Sequence, residues 1–445
     1  MSSDGTTVAF LMHEQHGALE LFVIEVSGTD PTGPARVNPQ LDNLLGGRVS
    51  DSFSFSPDNR RLLYSTQLER NGRRGMYLTD LSGPTPGPTI ALDPDPESFY
   101  GGAEIFSPDG QRLYGRGSVA PDFNTGLLML DVSGDNTPTP VQVYEGPDSY
   151  LDIDKLCVAP DGTTLAFSQE VEHLVHHMFM ADTAGASPYP VFQLHEDLDV
   201  DHSVPWYFAV CLFSDDGSAF VYTSSQVNED GTDVFVVPVS EAVPGPAVRV
   251  STNLSGSYGL RRTELVNQGR GVVYEWEADG PRGLHYADIR DPANPAPPVD
   301  VCRDCGRLGV DDFVVSPNGM ELLVHAGLTS SNGARDLYLV RFAASGPEAP
   351  IKLNDDIADA TYIYHAVFSP DQTRVVYKRR FESAPDVAPH PRGSASTRST
   401  STNPPPVPRY PSRTRGHWTT GAPALLRPAT GCSTTRVPVT TTTSS

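Results

Sequence analysis

The sequence predicts an all-β chain, a β-propeller of seven, alternatively eight, four-stranded antiparallel blades. Three observations predict it: a motif that returns about every fifty residues, a hydrophobic period of two inside each return, and turn residues at fixed places between the apolar runs. The proline of each Ser-Pro-Asp-Gly turn, or the residue in its place, falls at Ser3, Pro57, Pro108, Pro160, Asp215, Asn267, Pro317 and Pro370, at separations of 50 to 55 residues. Eight repeat units therefore occupy residues 1–382, with no space among them for a folded domain of another kind.

Each unit is justified element by element. An inner strand ends in a bulky apolar residue two places before the marker, from Phe55 and Phe106 to Val315 and Phe368. The turn follows: proline presets its own φ, Asp or Asn bonds nearby backbone, and Gly accepts the positive φ of the exit. A second strand then places one apolar column five residues after the marker (Val8, Leu62, Leu113, Leu165, Phe220, Val272, Leu322, Val375). A second column lies two further on (Phe10, Tyr64, Phe167, Tyr222, Tyr274, Val324, Tyr377), slipping only in the third unit, where Tyr114 comes one place early. A third strand such as Val234-Phe235-Val236-Val237 and a short fourth such as Val141-Gln142-Val143-Tyr144 complete the blade. One such sheet leaves both faces bare, so blades must stack side by side.

Phe55-Ser56-Pro57-Asp58, the aliphatic-x-aromatic second strand and third strands like Asp336-Leu337-Tyr338-Leu339-Val340 resemble the WD-like repeat of TolB-type β-propellers over about residues 3–380. The resemblance implies a non-catalytic scaffold of the bacterial envelope, periplasmic or secreted, that binds a protein or peptide partner through its loops and axial channel and uses no cofactor. Against the envelope expectation, Met1-Ser2-Ser3-Asp4-Gly5 lacks the basic start and apolar core of a secretory signal, which leaves the cytoplasm as the other compartment.

Both ends depart from the pattern. The first unit opens inside its own turn without an inner strand, so the strand ending at Phe368 is expected to fill that place and give seven complete blades. The rival is a tight Pro370-Asp371 hairpin that starts an imperfect eighth. After the eighth unit, residues 383–445 change to a Pro, Ser, Thr and Arg mixture, expected to be a disordered tail, either a frameshifted reading of the last blade or a Pro/Thr-rich linker.

The formal net charge is −23, while 383–445 holds seven Arg and one acid, so the acidity sits in the repeats. Such a body repels phosphate backbones, which argues against nucleic acid. No run approaches the roughly twenty apolar residues of a membrane span. Five cysteines are too few for a disulfide scaffold, and Cys302-Arg303-Asp304-Cys305 reads as a loop-tightening disulfide or as two thiols. A monomer is expected.

Candidate site residues come from the geometry of a wheel. Innermost strands line the axis, and their leading ends lie five to six positions before each marker. These are Asp51, Gly102, Asp154, Lys155, Arg261, Arg262, Asp311, Asp312, Tyr364 and His365, a channel mouth of mixed charge suited to a peptide end or a polar small ligand. The alternative function is a metal-dependent propeller lyase or hydrolase acting on a carbohydrate or small polar substrate, its divalent metal held by His173, His176, His177, His195 and His202. No Gly-x-Ser-x-Gly elbow occurs, which is expected to set the chain apart from propeller-bearing serine peptidases.

Overall fold

The computed structural model describes residues 1–381 apart from 14–18, 28–32, 40–47, 68–73, 93–103, 118–125, 147–152, 173–174, 197–203, 205–209, 226–231, 252–258, 278–281, 304, 306–308, 328–334 and 355–360. All regular structure in them is β, in eight antiparallel sheets that follow the repeat units in order. None of the described residues forms a helix long and apolar enough to cross a membrane.

Blade 1 has three strands, Thr7–His13, Leu19–Glu25 and Ala35–Arg36. Blade 2 is complete with Arg48–Phe55, Arg61–Gln67, Arg74–Asp80 and Thr89–Ala91, and blade 3 with Ile105–Phe106, Arg112–Gly117, Gly126–Asp131 and Val141–Glu145. Blade 4 runs Ile153–Val158, Thr164–Glu172, Val175–Asp182 and Val191–Gln193; blade 5 runs Cys211–Phe213, Ala219–Ser224, Asp233–Ser240 and Val248–Arg249. Blade 6 is Gly259–Val266, Gly271–Glu277, Gly283–Asp288 and Val299–Asp300, and blade 7 is Val310–Val315, Glu321–Gly327, Arg335–Ala343 and Ile351–Lys352. Blade 8 is the hairpin Thr361–Phe368 with Val375–Phe381.

In blades 2 to 7, alternation puts one apolar row of each sheet against the preceding blade and the other against the next, while blades 1 and 8, among the described residues, pack on one side. Seven apolar cores result, each between consecutive blades. Leu21, Leu62 and Tyr64 join blades 1 and 2; Leu78, Leu113 and Leu128 join 2 and 3; Tyr114, Leu165 and Phe167 join 3 and 4. Met178, Phe220 and Tyr222 continue the series, then Val236, Val272 and Tyr274, then Val273, Phe313 and Leu322, and last Leu323, Leu337 and Ile363. The two predicted columns of the second strand are the deepest part: Leu62, Leu113, Leu165, Phe220, Val272 and Leu322 are fully buried. Tyr114 departs from the column because it turns to the opposite face and packs on blade 4.

The strand ending at Phe368 pairs with Val375–Phe381 and not with Thr7–His13. The short loop at Pro370 costs less closure entropy than joining residues from opposite ends of the chain. The hairpin alternative is thus the one that forms, and the outer face of blade 8 leaves Val367 and Val376 exposed. The expectations for residues 382–445 lie outside the described residues.

The repeated turn is held by side chains more than by proline. Ser Oγ donates to the Asp or Asn Oδ1 two residues on at 2.5–2.8 Å in the turns of Ser2, Ser56, Ser107, Ser214, Ser316 and Ser369. The same Oγ accepts the backbone N–H five residues on, as from Arg61, Arg112, Ala219 and Glu321 at 2.9–3.0 Å. Ser3 and Asp215 occupy the proline place without loss of the turn, because the bonds belong to Ser and Asp. In blade 4, Ala159 replaces the serine and Thr164 Oγ1 donates to Asp161 instead, at 2.6 Å.

Candidate functional site at the channel mouth

Each inner strand runs into its turn, so all inner strands point the same way and the turns gather at one end of the axis. Successive turns touch: Ser3 N–H donates to Asn59 Oδ1 at 2.9 Å, and Asn267 N–H to Gly319 O at 2.6 Å. Between these, Gly110 lies against Asp58, Gly162 against Pro108, Gly217 against Pro160 and Gly269 against Asp215. The opposite end, about 20 Å away at roughly 3.3 Å per residue, is the mouth singled out from the sequence.

At that mouth the inner strands of blades 2, 4, 6, 7 and 8 share one irregularity. Their ladders shift register between Ile153 and Lys155, between Leu260 and Arg262, between Val310 and Asp312, and between Tyr364 and Ala366. The extra residues are Asp154, Arg261, Asp311 and His365. In blade 2 the shift spans Val49 to Phe53 and includes Asp51, whose side chain lies outside the described residues, as do that of Tyr364 and all of Gly102. A bulge turns its extra side chain out of the pleat. His365 shows the cost, a non-glycine residue held at φ 55°, a conformation that clusters at functional positions.

Polar side chains of the second strand lie level with the bulges. Ser168 Oγ accepts the N–H of Lys155 at 3.1 Å, and Thr223 Oγ1 accepts that of Val210 at 3.0 Å. The equivalent positions carry Glu275 opposite Arg262, His325 opposite Asp312 and Lys378 opposite Tyr364. This layer was legible as a polar residue eight places after each marker from Pro57 onward.

Arg262 and Asp312 are joined to each other. Arg262 donates to Asp312 Oδ1 at 3.2 Å, to Phe313 O at 2.7 Å and to Glu264 Oε1 at 3.2 Å, with its guanidinium 4.5 Å from the centre of the Phe313 ring. This strap ties blade 6 to blade 7 and leaves Arg261 and Asp311 as the side chains of that sector placed by bulges.

Of the candidate histidines, His173 and His202 lie outside the described residues. His176 Nδ1 sits 2.8 Å from Asp154 Oδ2, so the bulge of blade 4 carries an imidazole–carboxylate pair. His195 accepts the Met178 N–H at Nε2 (3.0 Å) and faces Glu196 O through Nδ1 (2.7 Å), which makes Nδ1 the protonated nitrogen. Both ring nitrogens of His195 are thereby committed to backbone, and its ring meets that of His177 edge-on at 5.0 Å. Among the described residues no three His, Cys, Asp or Glu side chains converge as a metal set.

Sequence reasoning missed a clamp that recurs between third and fourth strands. An acid opens the third strand, a base sits sixteen residues on, and an Asn or Ser eighteen residues on. Glu20 pairs with Arg36 at 3.1 Å while Asn38 Oδ1 accepts the Leu21 N–H. Asp233 pairs with Arg249 at 2.8 Å and accepts from Ser251, whose Oγ also takes the Val234 N–H. Asp336 pairs with Lys352 at 2.9 Å, with Asn354 bonded to both Asp336 and the Leu337 N–H. His195 plays the Asn part in blade 4. Burial pushes the Asp233 carboxyl up despite its bonds to Ser251 and Arg249.

Two cystine bridges are present among the described residues. Cys302–Cys305 is the loop-tightening bridge allowed by the sequence, and Cys157–Cys211, with Cα atoms 6.0 Å apart, joins the inner strands of blades 4 and 5. The second was readable as two cysteines about one unit apart on adjacent inner strands.

No protein-family model matches this sequence, nor does any curated protein. Solved structures do. One, from a structural and mechanistic study of two prolyl endopeptidases, is 16% identical, with a TM-score of 0.47, over 85% of this chain and 52% of the other. Prolyl oligopeptidase B from Galerina marginata is 12% identical, with a TM-score of 0.47, over 84% of this chain and 56% of its own. The same enzyme bound to a 35mer hydrolysis and macrocyclization substrate gives 12%, 0.46, 85% and 56%. At such identities the likeness is one of fold, and the chain spans about half the length of these structures. The neighbours are peptidases that include a wheel of this fold, so the fold does not bear out the expectation of a non-catalytic scaffold. The missing Gly-x-Ser-x-Gly does not set the chain apart from them either, because only about half of each is compared.

Proposed function

We propose that this wheel is the peptide-admitting part of a hydrolase. The observation that carries the reading is the set of aligned bulges, which brings Asp154, Arg261, Asp311 and His365 to one end of the axis. A mouth with both signs of charge, backed by a polar layer on the second strands, meets the amide groups and ionised side chains of an extended polypeptide better than an apolar pore would. The seven stacked cores keep that mouth rigid, so binding does not have to order it first. The two cystine bridges support an oxidising compartment for such an enzyme.

The test uses the protein purified from its native source under mild conditions, assayed with internally quenched peptides of about ten to thirty residues. Peptide hydrolysis should co-migrate with the chain through successive fractionations. Recombinant full-length chain should bind the same peptides, and Arg261→Ala together with Asp154→Asn should weaken that binding about tenfold, the scale of one lost charge-assisted contact. Fractions rich in the chain but without hydrolysis would refute the reading.

A further inference from the structure

The bulge of blade 2 differs from the others in size, and beneath it lies a cavity of about 370 Å³. Val49 pairs with Thr66 and Phe53 with Tyr64, so three residues, 50 to 52, stand opposite the single Ser65. The inner strand is lifted away from the second strand by this mismatch. The space left is within the usual range of small-ligand pockets, about 300–1,000 Å³.

Its lining is mostly polar. Beside Leu19 and Val49, Ser50, Ser65 and Thr66 contribute hydroxyls, Gln67 an amide and Arg48 a guanidinium, and no carboxylate is among the described lining side chains. Thr66 is 1% exposed, and its Oγ1 makes no hydrogen bond. A buried hydroxyl without a partner is costly, and an occupant of the cavity that accepts a hydrogen bond removes the cost. Arg48 makes no ion pair with a described residue, although the chain as a whole carries a net charge of −23. A cation without an ion-pair partner among the described residues, beside hydroxyl and amide donors and in an acidic body, selects an anion small enough to enter between two strands.

The cavity lies at the mouth end, since Arg48 to Ser50 stand seven to nine residues before the turn at Pro57, just beyond the five or six residues by which the other bulges precede theirs. We infer that this pocket binds the C-terminal carboxylate of a peptide, with Arg48 and the Thr66 hydroxyl as its anchors. The inference rests on the reading that the wheel admits peptides, and it adds which end of the peptide is held. An Arg fork accepts a carboxylate through paired hydrogen bonds, and capture of a terminal carboxylate by clustered donors is a recurring mode of peptide recognition.

Isothermal titration of the full-length chain tests it, with N-acetyl-trialanine as the free acid, the same peptide as its C-terminal amide, and sodium acetate at equal ionic strength. The acid should bind at least about tenfold more tightly than the amide, and more tightly than acetate. Thr66→Val keeps the branched shape and removes the hydroxyl, while Arg48→Gln changes an exposed side chain and leaves the core alone. Each should lower the affinity for the acid about five- to tenfold and leave the weak binding of the amide unchanged. Equal binding of acid and amide, absence of binding by both, or wild-type affinity in Arg48→Gln would overturn the inference. Acetate binding as tightly as the peptide would overturn it too, in favour of a small free anion. Hydrolysis that co-migrates with a chain blind to the terminal carboxylate would remove this anchor and leave the proposed function standing; the reverse pattern would do the opposite.

Discussion

The clamp in blade 7 gives the sharpest energetic test. Asp336 is 2% exposed and receives Lys352 Nζ at 2.9 Å and Asn354 Nδ2 at 2.8 Å. Asp336→Ala removes a buried acceptor from two donors at once. Breaking a buried ion pair by deleting one partner costs about 3–5 kcal/mol. The Lys352 side chain is about one third exposed and can turn to water, so the lower end applies, about 3 kcal/mol. At about 2.1 cal/mol/K per residue, the folded wheel has an unfolding entropy near 0.8 kcal/mol/K, so Tm should fall by about 4 °C. Asn354→Ala leaves the buried Leu337 N–H without its 2.7 Å acceptor and should cost about 1–3 kcal/mol. Differential scanning calorimetry on Asp336→Ala, Lys352→Met and the double variant closes a double-mutant cycle. A coupling of about 1 kcal/mol or more between the two positions is expected. A cycle that sums to zero, with Asp336→Ala within about 1 °C of wild type, would refute the clamp as a source of stability and reduce it to a surface pair.

The turn carboxylates set the response to acid. Ser107 Oγ holds Asp109, and Ser218 holds Asp216, below the ordinary carboxylate value of 3.8. Stability from a lowered carboxylate is present above the unfolded value and is lost as pH falls through the folded one. Tm should therefore stay level down to about pH 4 and drop below it, with a smaller drop in Ser107→Ala, as followed by circular dichroism melts. Asp233, raised by burial, contributes in the opposite sense: its share is greatest below 3.8 and is lost as pH rises through its raised value, so Asp233→Asn should gain relative to wild type towards neutral pH. Replacing Cys157 and Cys211 by Ser opens a link that spans 54 residues, which should cost about 2–4 kcal/mol, and wild type treated with reductant should melt with the variant. Gly269, at φ 74°, would put a Cβ 2.5 Å from Asp215 N, whereas at Gly217 the nearest atom is 3.7 Å away; Gly269→Ala should lower Tm more than Gly217→Ala, and the reverse order would contradict the tight packing of turns.

What the sequence made legible depended on whether a signal was local. Alternation in Leu62-Leu63-Tyr64 or Val272-Val273-Tyr274 is a direct consequence of which face each side chain takes, so strands, turns and their eightfold order were readable. The turn chemistry was only half read: proline attracts notice, yet Ser and Asp make the bonds, and the turns that lack proline at Ser3 and Asp215 keep them. The mouth positions could be counted back from the turn, but that the count lands on an irregularity is a property of two strands at once. A bulge is a mismatch between Leu260-Arg261-Arg262 and Glu275-Trp276, and neither segment alone carries a mark of it. The clamps are different, because their spacing of sixteen and eighteen residues is constant in Glu20/Arg36/Asn38, Asp233/Arg249/Ser251 and Asp336/Lys352/Asn354. They escaped notice because a charge at a strand end is ordinarily solvent-facing, and only the depth of the third strand in the blade makes these pairs buried. The same depth explains His195: in blade 4, where His177 stands in the acid place and Gln193 in the base place, an imidazole supplies the acceptor that Asn supplies elsewhere. A histidine cluster that reads as a metal site in the linear sequence is, at that one member, a substitution within a structural repeat.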